Sequence, residues 1–390
     1  MESPGFEPTD RQRWGVLARI NTSSALSQIV QIGTITPLLS LSMERQGVDP
    51  ARIGLVVSAS WLAILVLYRL VPRLLVLFGL ARASIISAAL TVVAVLGMSL
   101  TREPMLLFML NFVLGIGLIL RWIASDTWIV LVAQRSERGR AIGIHETLMG
   151  LGIAVGPLLL SLLGVESSTP YFACAALAGV SGVVAWTLRD VAVAPGIPMD
   201  KKPRGVLGII PLALCGAFIA GFSETSSITF LASYGLAAGY LLATATLLVA
   251  TFGAGGTALQ LPIGWVADRS SYRAAQLLCG LVLVGGAMLI ALCLPYPWLA
   301  ALAAFVWGGA IGGMNTLAVI EAGERVGEQQ LSTAMTAIAL FYTLGSIAGP
   351  IITGVVIGAL GEQGLVASVG AVGLLFVLAL ALYPGSSPRQ

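Results

Sequence analysis

Long apolar stretches recur along this chain from end to end, and they constrain it more than any other feature. Runs of about eighteen or more residues with few charges are long enough to cross a bilayer core as helices. An open strand or loop at that depth would leave backbone N–H and C=O groups without partners, so a chain built of such runs folds as a helical bundle. Of its 390 residues, 57% are hydrophobic and 10% charged. Soluble chains carry about a quarter charged residues, and the mean hydropathy is +0.94. A soluble domain is excluded, and nucleic acid is not an expected partner.

A crossing takes roughly twenty residues. On that basis the sequence divides into twelve spans, over 16–42, 52–72, 83–101, 104–133, 140–164, 170–188, 206–233, 238–266, 273–294, 296–322, 330–357 and 364–384. The first polar segment, MESPGFEPTDRQRW, mixes both charge signs, and no A-x-A site follows the first apolar run. A cleavable signal peptide is therefore not expected. The longest break, RDVAVAPGIPMDKKPRG (189–205), separates an N-terminal six-helix bundle (1–188) from a C-terminal one (206–390). The halves echo each other: GLGIAVGP (150–157) in span five matches TLGSIAGP (343–350) in span eleven, each reading G-x-x-x-G-P. Internal repeats of this kind characterise secondary transporters, whose substrate site lies near the midplane between repeats.

Loop charges orient the chain. With the N-terminus inside, Arg45, Arg52 and Arg102 are the only basic residues in outer loops, Arg121 is intramembrane, and the remaining Lys and Arg fall inside. By the positive-inside rule both termini are cytoplasmic, in the inner membrane. The four cysteines (Cys174, Cys215, Cys279, Cys293) lie in apolar runs without metal-ligand spacing and read as small buried hydrophobes.

The segment QLPIGWVADRSSYR (260–273), at the inner end of span eight, resembles the signature loop of the Major Facilitator Superfamily. Gly264, Asp268, Arg269 and Arg273 match it, and Ser271 stands where a glycine is usual. The resemblance implies a twelve-helix, all-α membrane fold of two six-helix bundles. It also implies a gating role for this loop, through close packing at Gly264 and charges placed at helix ends. A plain positive-inside loop is the alternative. The matching loop of the first half, YRLVPRLLVLFGLAR (68–82), keeps Arg73, Gly79 and Arg82 but lacks the aspartate. Asp126, with Trp128, Arg138 and Arg140, forms a D-x-W…R-G-R pattern similar to a bacterial permease and efflux branch of the superfamily. Asp126 is expected to supply the missing carboxylate to Arg73, Arg138 or Arg140. In span five, Gly143, Gly152, Gly156 and Pro157 resemble the superfamily's antiporter motif, with Leu160 and Ser161 replacing its final glycines. Gly345, Gly349 and Pro350 repeat part of it in span eleven. Generic close packing of small residues is the competing reading.

Arg121 stands out within LGIGLILRWIASDTW, about seventeen residues into span four. A charge near the midplane costs about 2.5–3.5 kcal/mol on insertion scales, so it faces a partner or a water-filled cavity. Asp126, five residues on, points elsewhere on the helix. Two roles stay open: a structural ion pair with Glu146 or Glu224, or a fixed cation for an anionic substrate group. The resemblance implies that spans one, four, seven and ten line a central cavity. That brings in Asn21, Gln28, Gln31, Ser223, Glu224, Ser227, Trp307 and Asn315 beside Arg121, with Asn111 where the family's common arginine would lie. Proton coupling needs a carboxylate whose protonation changes with exposure. Glu224 and Glu146 are the candidates, beside His145, the single histidine. Glu321 and Glu324 read as interfacial charges.

The expected function is a secondary transporter working by alternating access, exporting a small organic solute, anionic or amphipathic, in exchange for protons. Uptake by proton symport is the first alternative. A non-transporting assembly or lipid-handling protein with the same fold is the second. No nucleotide-binding G-x-x-x-x-G-K-[ST] loop, metal cluster or nucleophile–base motif occurs in the sequence, so neither an enzyme nor a cofactor is expected. The expected partners are the solute, protons and the lipid bilayer, and the expected state is a monomer.

Overall fold

A computed structural model describes residues 10–191 and 205–383. Most of the expected linker lies outside the described residues, as do Arg204, Lys201, Lys202 and Arg389 of the charge count. The helices are α1 (Asp10–Gln28), α2 (Ile35–Glu44), α3 (Pro50–Leu67), α4 (Val71–Phe78), α5 (Leu80–Ser99), α6 (Pro104–Val132), α7 (Arg138–Leu163) and α8 (Thr169–Trp186). After the linker come α9 (Pro211–Ala237), α10 (Leu242–Ala258), α11 (Gln260–Arg269), α12 (Tyr272–Cys293), α13 (Pro297–Arg325), α14 (Glu328–Leu360) and α15 (Gly364–Leu382). The described residues contain no strand.

Eleven unbroken helical stretches among the described residues are long and apolar enough to cross a membrane. The last of them holds both α14 and α15, joined by a 3-10 turn at Gly361–Gln363, so the crossings number twelve. The first consists of α1 and α2 joined by a π-helical turn, Ile29–Thr34. Local chemistry sets several ends. Asp49 accepts a hydrogen bond from Ala51 N (2.9 Å) ahead of Pro50, and Glu103 accepts one from Leu106 N (2.7 Å) ahead of Pro104. Both place an acceptor on orphan N–H groups and a proline where its missing N–H costs nothing. Gly164 and Gly361, at φ +72° and +66°, terminate α7 and α14 in a conformation that a side chain disfavours.

Within the first half, α5 packs on α6 and α8, α3 on α6, and the π turn on α7; within the second, α9 packs on α14, α10 on α13, and α12 on α13 and α15. The halves meet where α3 lies on α14, α7 on α10, and α2 on α9. These junctions are made by backbone at glycine. A Cβ on Gly54 would stand 2.0 Å from the carbonyl oxygen of Pro350, and one on Gly354 would stand 2.2 Å from that of Pro50. Ser58 donates to Ile347 O (2.9 Å), and the Ser233 hydroxyl donates to Glu44 across the junction of α9 and α2. All of these lie in the membrane half opposite the face where α1 begins and α15 ends. Toward that terminal face, α7 carries exposed residues at 142–144 and 146–147, and α11 is exposed at Gln260 and Leu261. The bundle is therefore closed on the far side and opens toward the terminal face.

The motif glycines divide by environment. Gly156 meets span one so closely that its Cβ would lie 2.2 Å from the Gly33 carbonyl carbon, and one on Gly152 would lie 3.0 Å from Gln28 Cβ. Gly345 and Gly349 approach the carbonyl oxygens of Phe218 and Phe222 in the same way, at 1.9 and 2.3 Å. Gly143 and Gly264 border open space, so the close packing expected at these two positions is absent. The prolines Pro157 and Pro350 lie inside α7 and α14. The cysteines are free thiols, Cys174 and Cys279 buried and Cys215 and Cys293 partly so.

Gly156→Leu must push span one off span five, because overpacking a tight contact costs about 1–3 kcal/mol. Gly143→Leu, in open space, stays within about 0.5 kcal/mol of the parent. Thermal unfolding of the purified variants in detergent checks the contrast; equal melting of both would refute the packing account.

Candidate functional site

Span one presents Asn21, Gln28 and Gln31 along one side, toward α6 and α7. The π turn lies at this level: the N–H of Ile35 reaches Val30 O, and Thr34 Oγ1 donates both to Ile29 O (2.8 Å) and to Gly156 O (3.2 Å). Such single wide turns are frequent at functional sites. Nothing in the residues IVQIGT distinguishes this turn from an ordinary helix, so sequence reasoning passed over it.

Arg121 of α6 points into this face and is 3% exposed. Its Nε donates to Gln31 Oε1 (3.1 Å), its Nη2 to Gln28 Oε1 (2.5 Å), and its Nη1 to the sulfur of Met149 (3.4 Å). Gln31 Nε2 in turn donates to Thr91 Oγ1 (2.7 Å), Thr91 to Ser87 O (2.9 Å), and Ser87 to Gly117 O (2.6 Å). The expected ion pair with Glu146 or Glu224 is not formed. The guanidinium is held by neutral acceptors, which spares the desolvation of a second charge. Asn111, near the place of the family's common arginine, ties α6 to α3 through Val56 O (2.8 Å) and Val57 O (3.0 Å).

A second polar group lies nearer the terminal face. His145 of α7 is buried, with Nδ1 2.8 Å from Asn21 Oδ1 and Nε2 3.3 Å from Asp126 Oδ1. Both neighbouring atoms are hydrogen-bond acceptors. Asp126 Oδ1 is buried and makes no other contact. The gate pairing expected for Asp126 is therefore replaced by an intrabundle pairing with histidine. Arg138 donates to Val130 O (3.1 Å), Arg140 stacks over the Trp14 ring (5.1 Å), and Arg73 is exposed. At this end Arg13 pairs with both Glu137 and Asp10, each at 2.9 Å. Glu146 is exposed on α7.

In the second half, Glu224 of α9 accepts a hydrogen bond from the Tyr342 hydroxyl of α14 (2.7 Å). The Tyr342 ring meets the Trp61 ring of α3 edge-on at 5.7 Å, so the carboxylate is one step from the junction of the halves. Glu224 also lines a cavity of about 60 Å³ between α7, α9, α10, α13 and the start of α11, which is bordered by Gly150, Phe252, Thr257 and Gln260 among others.

The sequence model of the Major Facilitator Superfamily matches residues 22–213 and 213–390. The chain belongs to this superfamily. Uncharacterized MFS-type transporters resemble it over nearly their whole length: YfkF of Bacillus subtilis (strain 168) is 22% identical over 348 residues, 87% of each chain. One from Yersinia pseudotuberculosis serotype O:3 (strain YPIII) is 22% identical over 362 residues, 91% of this chain and 92% of that one. The fold is also that of solved structures. A mutant form of the nucleoside transporter NupG superposes with a TM-score of 0.81 at 14% identity, covering 94% of this chain and 99% of that one. A bacterial homolog of the human lysosomal transporter Spinster, in an inward-facing and unoccupied conformation, does so with a TM-score of 0.73 at 17% identity, covering 96% of both. This superfamily member is thus a multi-pass membrane protein and a secondary transporter of small molecules, not an enzyme.

The superfamily loop at the inner end of span eight is not assembled as expected. Arg269 stacks on Trp265 (3.8 Å), and Arg273 donates to Leu380 O (2.6 Å) and to the Tyr383 carbonyl, closing the end of α15. Asp268 is exposed, and among the described residues it makes no ion pair. The carboxylate doing structural work nearby is Glu321, fully buried between Gln276 (2.8 Å) and Arg325 (3.1 Å) rather than interfacial. Its position in the last turns of α13 reads as a surface charge from sequence, because nothing in the sequence reveals that α12 covers it. Trp307 is fully buried and donates to Leu283 O (3.1 Å), so it packs α13 on α12 instead of facing a cavity. Asn315 Oδ1 and the hydroxyls of Ser223 and Ser227 are buried without hydrogen-bond partners among the described residues.

The Arg121–Gln28 contact is a charge-assisted bond of about 1.5–3 kcal/mol. A double-mutant cycle of Arg121→Met and Gln28→Leu is expected to give a coupling energy of that size. Additive single effects would mean that the contact contributes nothing.

Proposed function

We propose that this transporter exports a small organic solute in exchange for protons, alternating the access of a site at the junction of its two halves. Its place is the inner membrane, both termini are cytoplasmic, and it works as a monomer. The observation that carries the reading is Glu224, a carboxylate at the membrane midplane, on the wall of a cavity between the halves and one hydrogen bond from the residue that touches α3. A buried carboxylate held by one hydroxyl is costly when ionised and changes charge with its access to water. That couples proton occupancy to which side is open. Two further groups support a proton path toward the terminal face: the His145–Asp126 pair and the exposed Glu146. Export rather than uptake rests on the resemblance of α7 to the antiporter motif.

Arg121 does not argue for an anionic cargo, since it is buried and each of its three nitrogens is bonded inside the first bundle. Arg121, Gln28 and Gln31 then form a structural knot that fixes span one against α6 and α7, and Glu224 is the residue that meets cargo.

The test is reconstitution in liposomes with a pH-sensitive dye and a panel of metabolites and drugs. An active solute is expected to move protons in the opposite direction to itself. Glu224→Gln is expected to cut that movement about tenfold or more, the scale of one lost charge-assisted contact. Movement of solute and protons in the same direction would make the protein an uptake symporter. Solute flux without proton movement would remove the coupling.

A further inference from the structure

The cavity at the junction has a charge sign. Among the described residues Glu224 is the one ionisable group on its wall, and no lysine, arginine or histidine borders it. One carboxylate oxygen of Glu224 is taken by Tyr342, and among the described residues no donor reaches the other. Glu146 stands one helical turn from the wall residue Gly150, on the same side of α7 and toward the open terminal face. A ligand entering from that face therefore passes one carboxylate and ends at another. The single intramembrane arginine is not available to it, being 3% exposed and bonded to Gln28, Gln31 and Met149.

The rest of the wall is uncharged, with Thr257 and Gln260 as its polar side chains. A cation gains from the carboxylate, whereas an anion meets only repulsion from it. A volume of about 60 Å³ admits a head group of a few heavy atoms and not a whole organic solute. The body of a larger cargo extends toward Gln260 and the terminal face.

We propose, on the basis of the transporter reading above, that the Glu224 cavity takes the cationic head of the cargo. The head is the ammonium or guanidinium of an organic amine, which occupies the free carboxylate oxygen that a proton otherwise neutralises. Ion pairing with the charged head offsets the cost of an ionised carboxylate at that depth.

A matched set of probes tests the sign directly: benzylamine, benzyl alcohol and benzoate share a ring and differ in charge. Binding to the full-length protein in nanodiscs is measured by titration calorimetry at neutral pH. Benzylamine is expected to bind about tenfold or more tightly than benzyl alcohol, and benzoate least of all. Glu224→Gln is expected to abolish the preference for the amine, and Glu224→Asp to retain it. The order found with the parent protein decides the matter even if a variant fails to fold. Equal affinities, a preference for benzoate or no binding of benzylamine overturns the assignment. Liposome flux keeps this separate from the transporter reading. Binding in the expected order with no flux of any solute leaves the cation site and removes transport. Flux of carboxylate solutes with no amine binding does the reverse.

Discussion

A charge buried in hydrocarbon has to be surrounded by dipoles, and in this protein that requirement organises the whole first bundle. The Arg121 guanidinium collects an amide oxygen from each of two residues on span one and a thioether from α7, and the second amide passes the chain of hydrogen bonds on to α5. Four of the six spans are thereby tied to one group. The close approach this demands is supplied by glycine: Gly33 of the π turn lies against Gly152 and Gly156 with no room for a side chain. The wide turn, the glycine pair and the arginine meet at one place, where the close approach brings Gln28 and Gln31 to the guanidinium.

The second bundle solves a different problem. Its buried acids are not neutralised by an intramembrane arginine. Glu321 is satisfied near the terminal face by Gln276 and Arg325, while among the described residues Glu224 has only the hydroxyl of Tyr342. The two halves share a fold and part of a motif, yet one keeps its charge enclosed and the other exposes its charge to the space between them. That asymmetry is the basis of the proposal that the first half holds the bundle together and the second half carries the exchange.

Fold class and crossings were legible in the sequence because they follow from apolar run length alone, and the repeat of G-x-x-x-G-P exposed the two-half design. The candidate site was legible as a set of residues but not as a set of pairs. Arg121, Gln28 and Gln31 were each visible as polar groups in apolar runs, but helix rotation decides who faces whom, and a π turn shifts that rotation without leaving a residue signature. The same limit explains Asp126, whose neighbour in space is His145 and not an arginine at the helix end. It explains Trp307 and Glu321 too, since both are covered by α12, a neighbour that local sequence does not specify. Gly143 and Gly264 match motif positions but border open space in this arrangement. A motif match fixes the residue type; the state of the bundle decides what that residue touches.

The seam between α3 and α14 has a further consequence. Gly54 lies against the Pro350 carbonyl and Gly354 against that of Pro50, so the far side is shut largely by main chain resting on main chain. Such a seam has few rotamers to freeze and few long side chains to strip of their surroundings, so parting it and re-forming it are both cheap. It behaves as a smooth bearing rather than as a bolt. A door hung this way stays near balance, so in the proposed cycle a single proton or bound head group at Glu224 is weight enough to swing it.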